Sequence, residues 1–102
     1  MKTYNDFTKY IDLLASEFDA DNMELSDFCH EQADASEYVI YYGKAWDLVN
    51  LIRLTDYSLL EDAEITLEFN EHTSSNTSIN QYMTLLAYEI IYQQISLAVN
   101  EL

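Results

Sequence analysis

The sequence has no proline, one glycine (Gly43), one cysteine (Cys29) and only four basic side chains among its 102 residues. A loop that cradles phosphates needs several glycines, so the kinase, NTPase and Rossmann classes of site are excluded. A single cysteine excludes a disulfide within one chain and a cysteine-based zinc site, and it suits a reducing compartment. Four Lys and Arg side chains cannot neutralise a phosphate backbone, so we expect no direct binding of nucleic acid or of anionic membranes.

Targeting and membrane-spanning patterns are missing as well. Acids at Asp6, Asp12 and Glu17 interrupt the apolar residues of the first stretch, which is unlike a signal peptide. No uninterrupted apolar run approaches the length of a membrane span. We therefore expect a cytoplasmic location and no membrane partner.

Acidic residues, by contrast, are abundant, since 19 Asp and Glu give a formal net charge of −15. Hydrophobic residues make up 49% and aromatic residues 14%, which is far more than a disordered acidic tail contains. The length suits one domain, so we predict a single acidic helical domain over residues 1–102. Seventeen of the 19 acids lie in the first 71 residues, which predicts an acidic exterior around a nearly uncharged C-terminal helix.

Apolar residues recur at helical spacing through most of the chain. The pattern predicts a helix over about 4–18, a second helix after the capping-like pair Asp21 and Glu24, and a third over about 37–54 that Ser36 caps. Whether the second and third helices are separate or one kinked helix stays open. Gly43 is expected to allow the close approach of another helix.

The strongest helical pattern covers about 79–101 and is apolar over most of its circumference, which indicates a central or an intersubunit helix. The predicted fold is therefore all-α, a compact bundle of about four helices around this apolar C-terminal helix. Residues 64–69 are less clear, because Ile65, Leu67 and Phe69 alternate with polar residues as in a strand. A lone strand needs a partner, so we favour helix or irregular structure there and keep a short strand as the alternative.

Catalytic and metal-binding patterns are weak. His30 and Asp34 lie one helical turn apart, as two metal ligands would. The second position is not a histidine, however, and the other histidine, His72, lies in a predicted polar loop, so we interpret the pair as a structural contact. Cys29 is next to His30, but neighbouring helical residues point about 100° apart, so no dyad forms and we predict a buried thiol. We predict no enzyme activity, no cofactor and no metal.

One group of aromatic residues is arranged like a base-stacking platform: Tyr38, Tyr41, Tyr42 and Trp46. A platform without cations cannot hold a phosphate backbone. We therefore assign these rings to core packing, with their hydroxyls reaching the surface.

Carboxylates recur at short intervals in two series. Residues three or four apart on a helix stand about 5–6 Å from one another, so each series predicts a row of negative charge. The first series is Glu17, Asp21, Glu24, Asp27, Glu31, Asp34 and Glu37, and the second is Asp56, Glu61, Asp62, Glu64, Glu68 and Glu71. Repulsion within such rows costs stability, which a cationic groove would offset, so we predict that both series bind a basic partner.

Part of the chain resembles a known family. Residues 25–51, with His30, Ala33 and Asp34 ahead of the pair Tyr41 and Tyr42, are similar to the Ocr-like antirestriction proteins of phages, which mimic DNA. Residues 90–94, Ile-Ile-Tyr-Gln-Gln, are similar to a helix near the end of those proteins, and residues 30–45 resemble a string common among small phage and prophage proteins.

The resemblance implies an all-helical phage inhibitor, acting in the cytoplasm of the host cell, whose carboxylates stand in for DNA phosphates. Its partner would be a basic DNA-binding host protein, a restriction–modification or CRISPR complex, and a homodimer is implied too. The sequence hypothesis is therefore an acidic DNA mimic that occupies the DNA-binding groove of a host defence enzyme. The alternative is an acidic helical adaptor or antitoxin-like protein that binds a basic protein without mimicry.

Overall fold

The computed structural model describes residues 1–41, 43–70 and 76–102, and within them the chain is all-α, as predicted. The described residues form six helices in place of the predicted four or so around a central one: α1 (Tyr4–Ala15), α2 (Leu25–Ala35), α3 (Glu37–Ile40), α4 (Lys44–Thr55), α5 (Tyr57–Phe69) and α6 (Ile79–Asn100). None of the described helices combines the length and hydrophobicity that crossing a membrane requires.

Helix α1 begins at a capping box and ends earlier than its apolar pattern does. The Thr3 hydroxyl accepts from the Asp6 backbone N–H, and the Asp6 carboxylate accepts from the Thr3 N–H, each at 3.1 Å. The helix ends at Ala15, whereas the sequence predicted about Phe18. Phe18 still packs on the core, because its ring centroid lies 5.2 Å from that of Phe28. The apolar periodicity of the sequence therefore continues beyond the C-terminal end of the helix.

The predicted helix over 37–54 is interrupted. Ser36 caps its first turn as predicted, accepting from the Tyr38 backbone N–H at 3.3 Å. However, α3 ends at Ile40 and α4 begins only at Lys44, so one continuous helix is wrong. Between them Gly43 has φ 89°, in the left-handed region. An added Cβ would meet no described atom within 4 Å, so Gly43 serves backbone conformation and the predicted close helix approach is wrong.

Residues 64–69 are helical, which confirms the helix that we favoured and makes the irregular structure and the alternative of a short strand wrong. They complete α5, whose buried face is formed by Leu60, Ala63 and Leu67 at helical spacing. Ile65 and Phe69 are 61% and 84% exposed, so the alternation with Leu67 does not describe one buried face. Exposed apolar residues produced the misleading strand pattern.

Helix α6 is the central helix. It begins at a capping box in which Ser78 and Gln81 satisfy each other's backbone N–H groups. It packs against all five other described helices, and its buried residues include Leu86, Ile91 and Ile95. Neighbouring helices also pack on one another in the order α2, α3, α4, α5. These four helices form a series along α6 in which α2 is the first and α5 is the last.

Candidate acidic interface and adjoining cavity

The clearest acidic surface lies on α2. Four exposed carboxylates, spaced three, four and three residues apart, follow one another here. Three are on α2 and the first is on its N-cap residue, and we call them the α2 acid row: Glu24, Asp27, Glu31 and Asp34. The opposite face of the helix is buried through Phe28, Cys29 and Ala33. Burial of that face orients the helix, so the acid row faces solvent along its whole length.

The remaining acids of the first series lie beyond the two ends of α2. Glu17 and Asp21 belong to the segment between α1 and α2, and Glu37 is the first residue of α3. All three are exposed. Next to Asp21, the Asp19 carboxylate accepts from the Asn22 side chain and from the Asp21 N–H, which lowers the pKa of Asp19. The Asp19 side chain therefore stays negatively charged in the segment ahead of α2.

The second series does not form one row. Asp56 is half-buried at the start of α5, where its carboxylate accepts from the Tyr4 hydroxyl at 3.2 Å and the Ser58 hydroxyl at 2.6 Å. Glu71 lies outside the described residues. The acids that share α5 are Glu61, Asp62, Glu64 and Glu68, of which only Glu64 is half-buried. The exposed Ile65 and Phe69 lie among them, so this surface mixes charge with apolar side chains.

Neutralising side chains lie on other elements. Lys9 is on α1, Lys44 and Arg53 are on α4, and Lys2 precedes α1, all of them exposed. The sequences of α2, α5 and α6 contain no Lys or Arg. The carboxylates of α2 and α5 therefore have no lysine or arginine partner within their own helices.

A cavity of about 440 Å³ lies between α2, α5 and the central α6. From α2 it is lined by His30, from α5 by Thr66 and Asn70, and from α6 by Tyr88, Glu89 and Tyr92. Ring centroids of Tyr88 and Tyr92 are 6.0 Å apart, and those of His30 and Tyr88 are 5.8 Å apart at 72°. Three rings thus form one wall of the cavity, on the side of the α2 acid row.

His30 joins the acid row to this wall. Its Nε2 donates to the Asp34 carboxylate at 3.0 Å, which confirms the predicted structural contact within α2. Its Nδ1 forms a hydrogen bond with the Tyr88 hydroxyl of α6. The contact therefore ties α2 to α6 as well as joining two turns of one helix.

The order Asp34, His30, Tyr88 resembles the acid, base and hydroxyl of a hydrolase triad. A nucleophile in such a triad needs an activated hydroxyl, but here the opposite holds. Burial, followed by the negative charges of Asp34 and Glu89, raises the pKa of Tyr88 from 10.0 to about 12. This network therefore favours a structural role over nucleophilic catalysis.

Glu89 is the single acid within α6 and is 8% exposed at the edge of the cavity. The Gln93 side-chain amide lies 3.5 Å from its Oε2 and also donates to the Thr66 hydroxyl at 3.0 Å. From the sequence, Glu89 was noted only as one of the two acids that lie after residue 71, and the cavity was not predicted. A lone acid in an otherwise uncharged apolar helix was the available signal.

The other candidate reactive groups are not part of the cavity lining. Cys29 is fully buried, as predicted, and burial raises the pKa of its thiol. Of the aromatic group, Tyr38 is buried and Trp46 half-buried, its indole donating to Asn80 at 2.8 Å, as core packing predicts. Tyr41 is 60% exposed, so its assignment to the core is wrong, and Tyr42 lies outside the described residues.

Across the described part of the chain, no three His, Cys, Asp or Glu side chains are grouped so as to hold a metal ion. Comparison of the sequence and fold with protein-family models, curated proteins and solved structures found no match. Function is therefore inferred from the acid row, the cavity and the charges of the protein itself.

Proposed function

We propose that the protein is an acidic DNA mimic that binds in the DNA-binding groove of a host defence enzyme, a restriction–modification or CRISPR complex, and inhibits it. The observation that carries the proposal is the α2 acid row. Its four carboxylates extend from Glu24 to Asp34, about 15 Å at the rise of a helix. The row therefore carries a carboxylate per roughly 5 Å, where one strand of duplex DNA carries a phosphate per roughly 3.4 Å, so its linear charge density is about two thirds of that of one strand.

The net charge of the whole protein is too small for its entire surface to mimic DNA, so the position of this row is important. The longest dimension of the protein is 41 Å, a length over which duplex DNA would carry about 24 phosphates. A formal net charge of −15 is clearly below that value. On average, then, the protein is less densely charged than DNA. Mimicry has to be local, at the row whose carboxylates come nearest to the spacing of phosphates along one strand.

Preorganisation supports the same proposal. The row lies on a helix held by a buried face, so a partner groove meets charges that are already in place. Repulsion within the row is relieved when lysines and arginines of a groove contact it. Such an interface predicts rapid association that weakens as salt is added.

The test is competition with duplex DNA for a purified type I restriction complex and for a purified CRISPR effector. Wild-type protein should displace DNA from at least one of them at low salt. The triple variant Glu24→Gln, Asp27→Asn and Glu31→Gln should do so at least about tenfold less well, taking roughly 0.5 kcal/mol for each lost charge contact. Asp34 is left unchanged because it holds His30.

The matched control removes three exposed charges elsewhere, through Asp12→Asn, Asp47→Asn and Glu101→Gln. It changes net charge equally, so it should retain most of the competition. Equal loss in both triple variants would show that net charge alone is responsible. Failure of the wild-type protein to displace DNA from either enzyme would contradict mimicry of their substrate.

A second candidate is an adaptor or antitoxin-like protein, and one observation favours it. Ile65 and Phe69 expose apolar surface among the acids of α5, which phosphate mimicry does not use. The double variant Ile65→Ser and Phe69→Ser separates the two candidates. An adaptor that binds through α5 should lose its basic protein partner, whereas competition with DNA should be unchanged for a mimic that binds through α2.

A further inference from the structure

The cavity between α2, α5 and α6 combines three features of a binding site for a cation. It has a volume of about 440 Å³, within the range of pockets that hold small organic groups. It is bordered by the carboxylate of Glu89, which is more than nine-tenths buried. Its wall holds the aromatic rings of Tyr88, Tyr92 and His30.

The charges around the cavity determine which class of ligand it can bind. Glu89 borders the cavity and Asp34 holds the His30 ring of its wall, so the local potential favours a positive group and disfavours an anion. No Lys or Arg of this chain lies among the described residues of the lining.

The shape of the lining favours a planar cation over a compact one. A guanidinium group stacks on aromatic faces and donates five hydrogen bonds in its own plane, whereas an ammonium group is a strongly hydrated point charge. Tyr88 and Tyr92 offer ring surfaces, while the Glu89 carboxylate and the side-chain oxygens of Thr66 and Asn70 offer acceptors. Rings and acceptors in one cavity match both properties of the guanidinium.

We propose that this cavity binds the guanidinium of an arginine side chain presented by the partner protein. The identity of that protein as a basic partner rests on the proposed function, whereas binding of the guanidinium itself is a property of this chain. Because His30 contacts both Asp34 and Tyr88, the cavity is continuous with the α2 acid row. An arginine in the cavity would fix the position of neighbouring basic side chains along the row.

The direct test is titration of the whole protein with N-acetyl-arginine methylamide, followed by ¹⁵N-resolved NMR. Backbone signals of residues 88–92 and His30 should shift, with a dissociation constant of about 1 mM. The uncharged citrulline analogue has nearly the same shape and should bind at least about tenfold more weakly. The blocked lysine should also bind more weakly, since it cannot stack as a plane.

Two variants locate the site. Glu89→Gln keeps the shape of the side chain but removes its charge, and Glu101→Gln makes the same change at the exposed end of α6. Arginine binding should weaken about tenfold in the first and remain unchanged in the second, with thermal unfolding recorded to show that both fold. Equal binding of arginine and citrulline by the wild-type protein would overturn the proposal without reference to any variant.

Failure of the arginine site can be distinguished from failure of the proposed function. Arginine binding without competition against DNA would retain the cavity site and reject mimicry. Competition that depends on the α2 acid row, without a preference for arginine over citrulline, would retain mimicry and reject the cavity site.

Discussion

At the scale of single residues, Gly43 shows how one backbone angle divides a helix. The chain between α3 and α4 adopts φ 89° at this residue, a conformation that costs other residues about 1–2 kcal/mol. Gly43→Ala should therefore lower the free energy of unfolding by about 1 kcal/mol, measured by urea denaturation. Gly43→Asn should cost less, because Asn tolerates the left-handed region better. Equal losses in both variants would indicate a packing cause instead.

Tyr88 gives the second prediction at this scale. Its pKa is raised to about 12 in the folded protein, against 10.0 for an unperturbed tyrosine. The unfolded chain therefore loses this proton first as pH rises, so the stabilisation is complete below about pH 10 and is lost progressively toward pH 12. Unfolding free energies measured across this range should fall less steeply for Tyr88→Phe than for the wild-type protein.

The variant also loses the hydrogen bond to His30, which lowers stability at every pH. That loss displaces the whole curve and leaves its slope unchanged, so the slope is the informative quantity. Burial also raises the pKa of Tyr10, Tyr38 and Tyr92, so part of the alkaline loss should remain in the variant. Identical slopes in the two proteins would exclude a contribution from Tyr88.

At the scale of elements, α5 provides the sharpest test of helix against strand. Leu67 is 1% exposed and Ile65 is 61% exposed, although the two alternate as they would on one face of a strand. Leu67→Ala should cost about 2–5 kcal/mol through lost burial and the cavity that it leaves. Ile65→Ala should change the unfolding free energy by less than about 0.5 kcal/mol. Similar costs at both positions would contradict the helical assignment.

The helices differ in how much of their structure could be predicted from the sequence. Long apolar patterns, together with the capping residue Ser36 before α3, predicted the class of fold and the central helix. Short patterns failed where exposed apolar residues mimicked a strand, as at Ile65 and Phe69. The break at Gly43 depends on a local backbone angle that periodicity does not report.

Of the candidate site, the acid row could be predicted from the sequence, whereas the cavity could not. Spacing within one helix was enough to predict that Asp27, Glu31 and Asp34 share a face, because the geometry is local. The cavity is made by residues far apart in sequence, with His30 and Tyr88 separated by 58 positions. Only the packing of α2 and α5 on α6 brings them together, and no pattern in either segment reports that packing.

At the scale of the whole molecule, charge opposes folding and favours association. Like charges at helical spacing destabilise a helix by about 0.2–0.5 kcal/mol per pair, and the α2 acid row alone contains three such pairs. The Debye length falls from about 30 Å at 0.01 M salt to about 3 Å at 1 M, which is shorter than the distance between neighbouring carboxylates. Salt therefore screens nearly all of this repulsion.

The free energy of unfolding should accordingly rise by at least about 1 kcal/mol between about 0.01 M and 1 M NaCl, as measured by urea denaturation. Sodium chloride is preferred to sulfate, because sulfate also strengthens the burial of apolar groups. The triple variant Glu24→Gln, Asp27→Asn and Glu31→Gln should be more stable at low salt and less sensitive to added salt. A wild-type stability that does not rise with NaCl would mean that repulsion is not a significant cost. Salt should strengthen the fold while it weakens binding to a basic groove. If both responses become smaller in the triple variant, both effects are assigned to the same carboxylates.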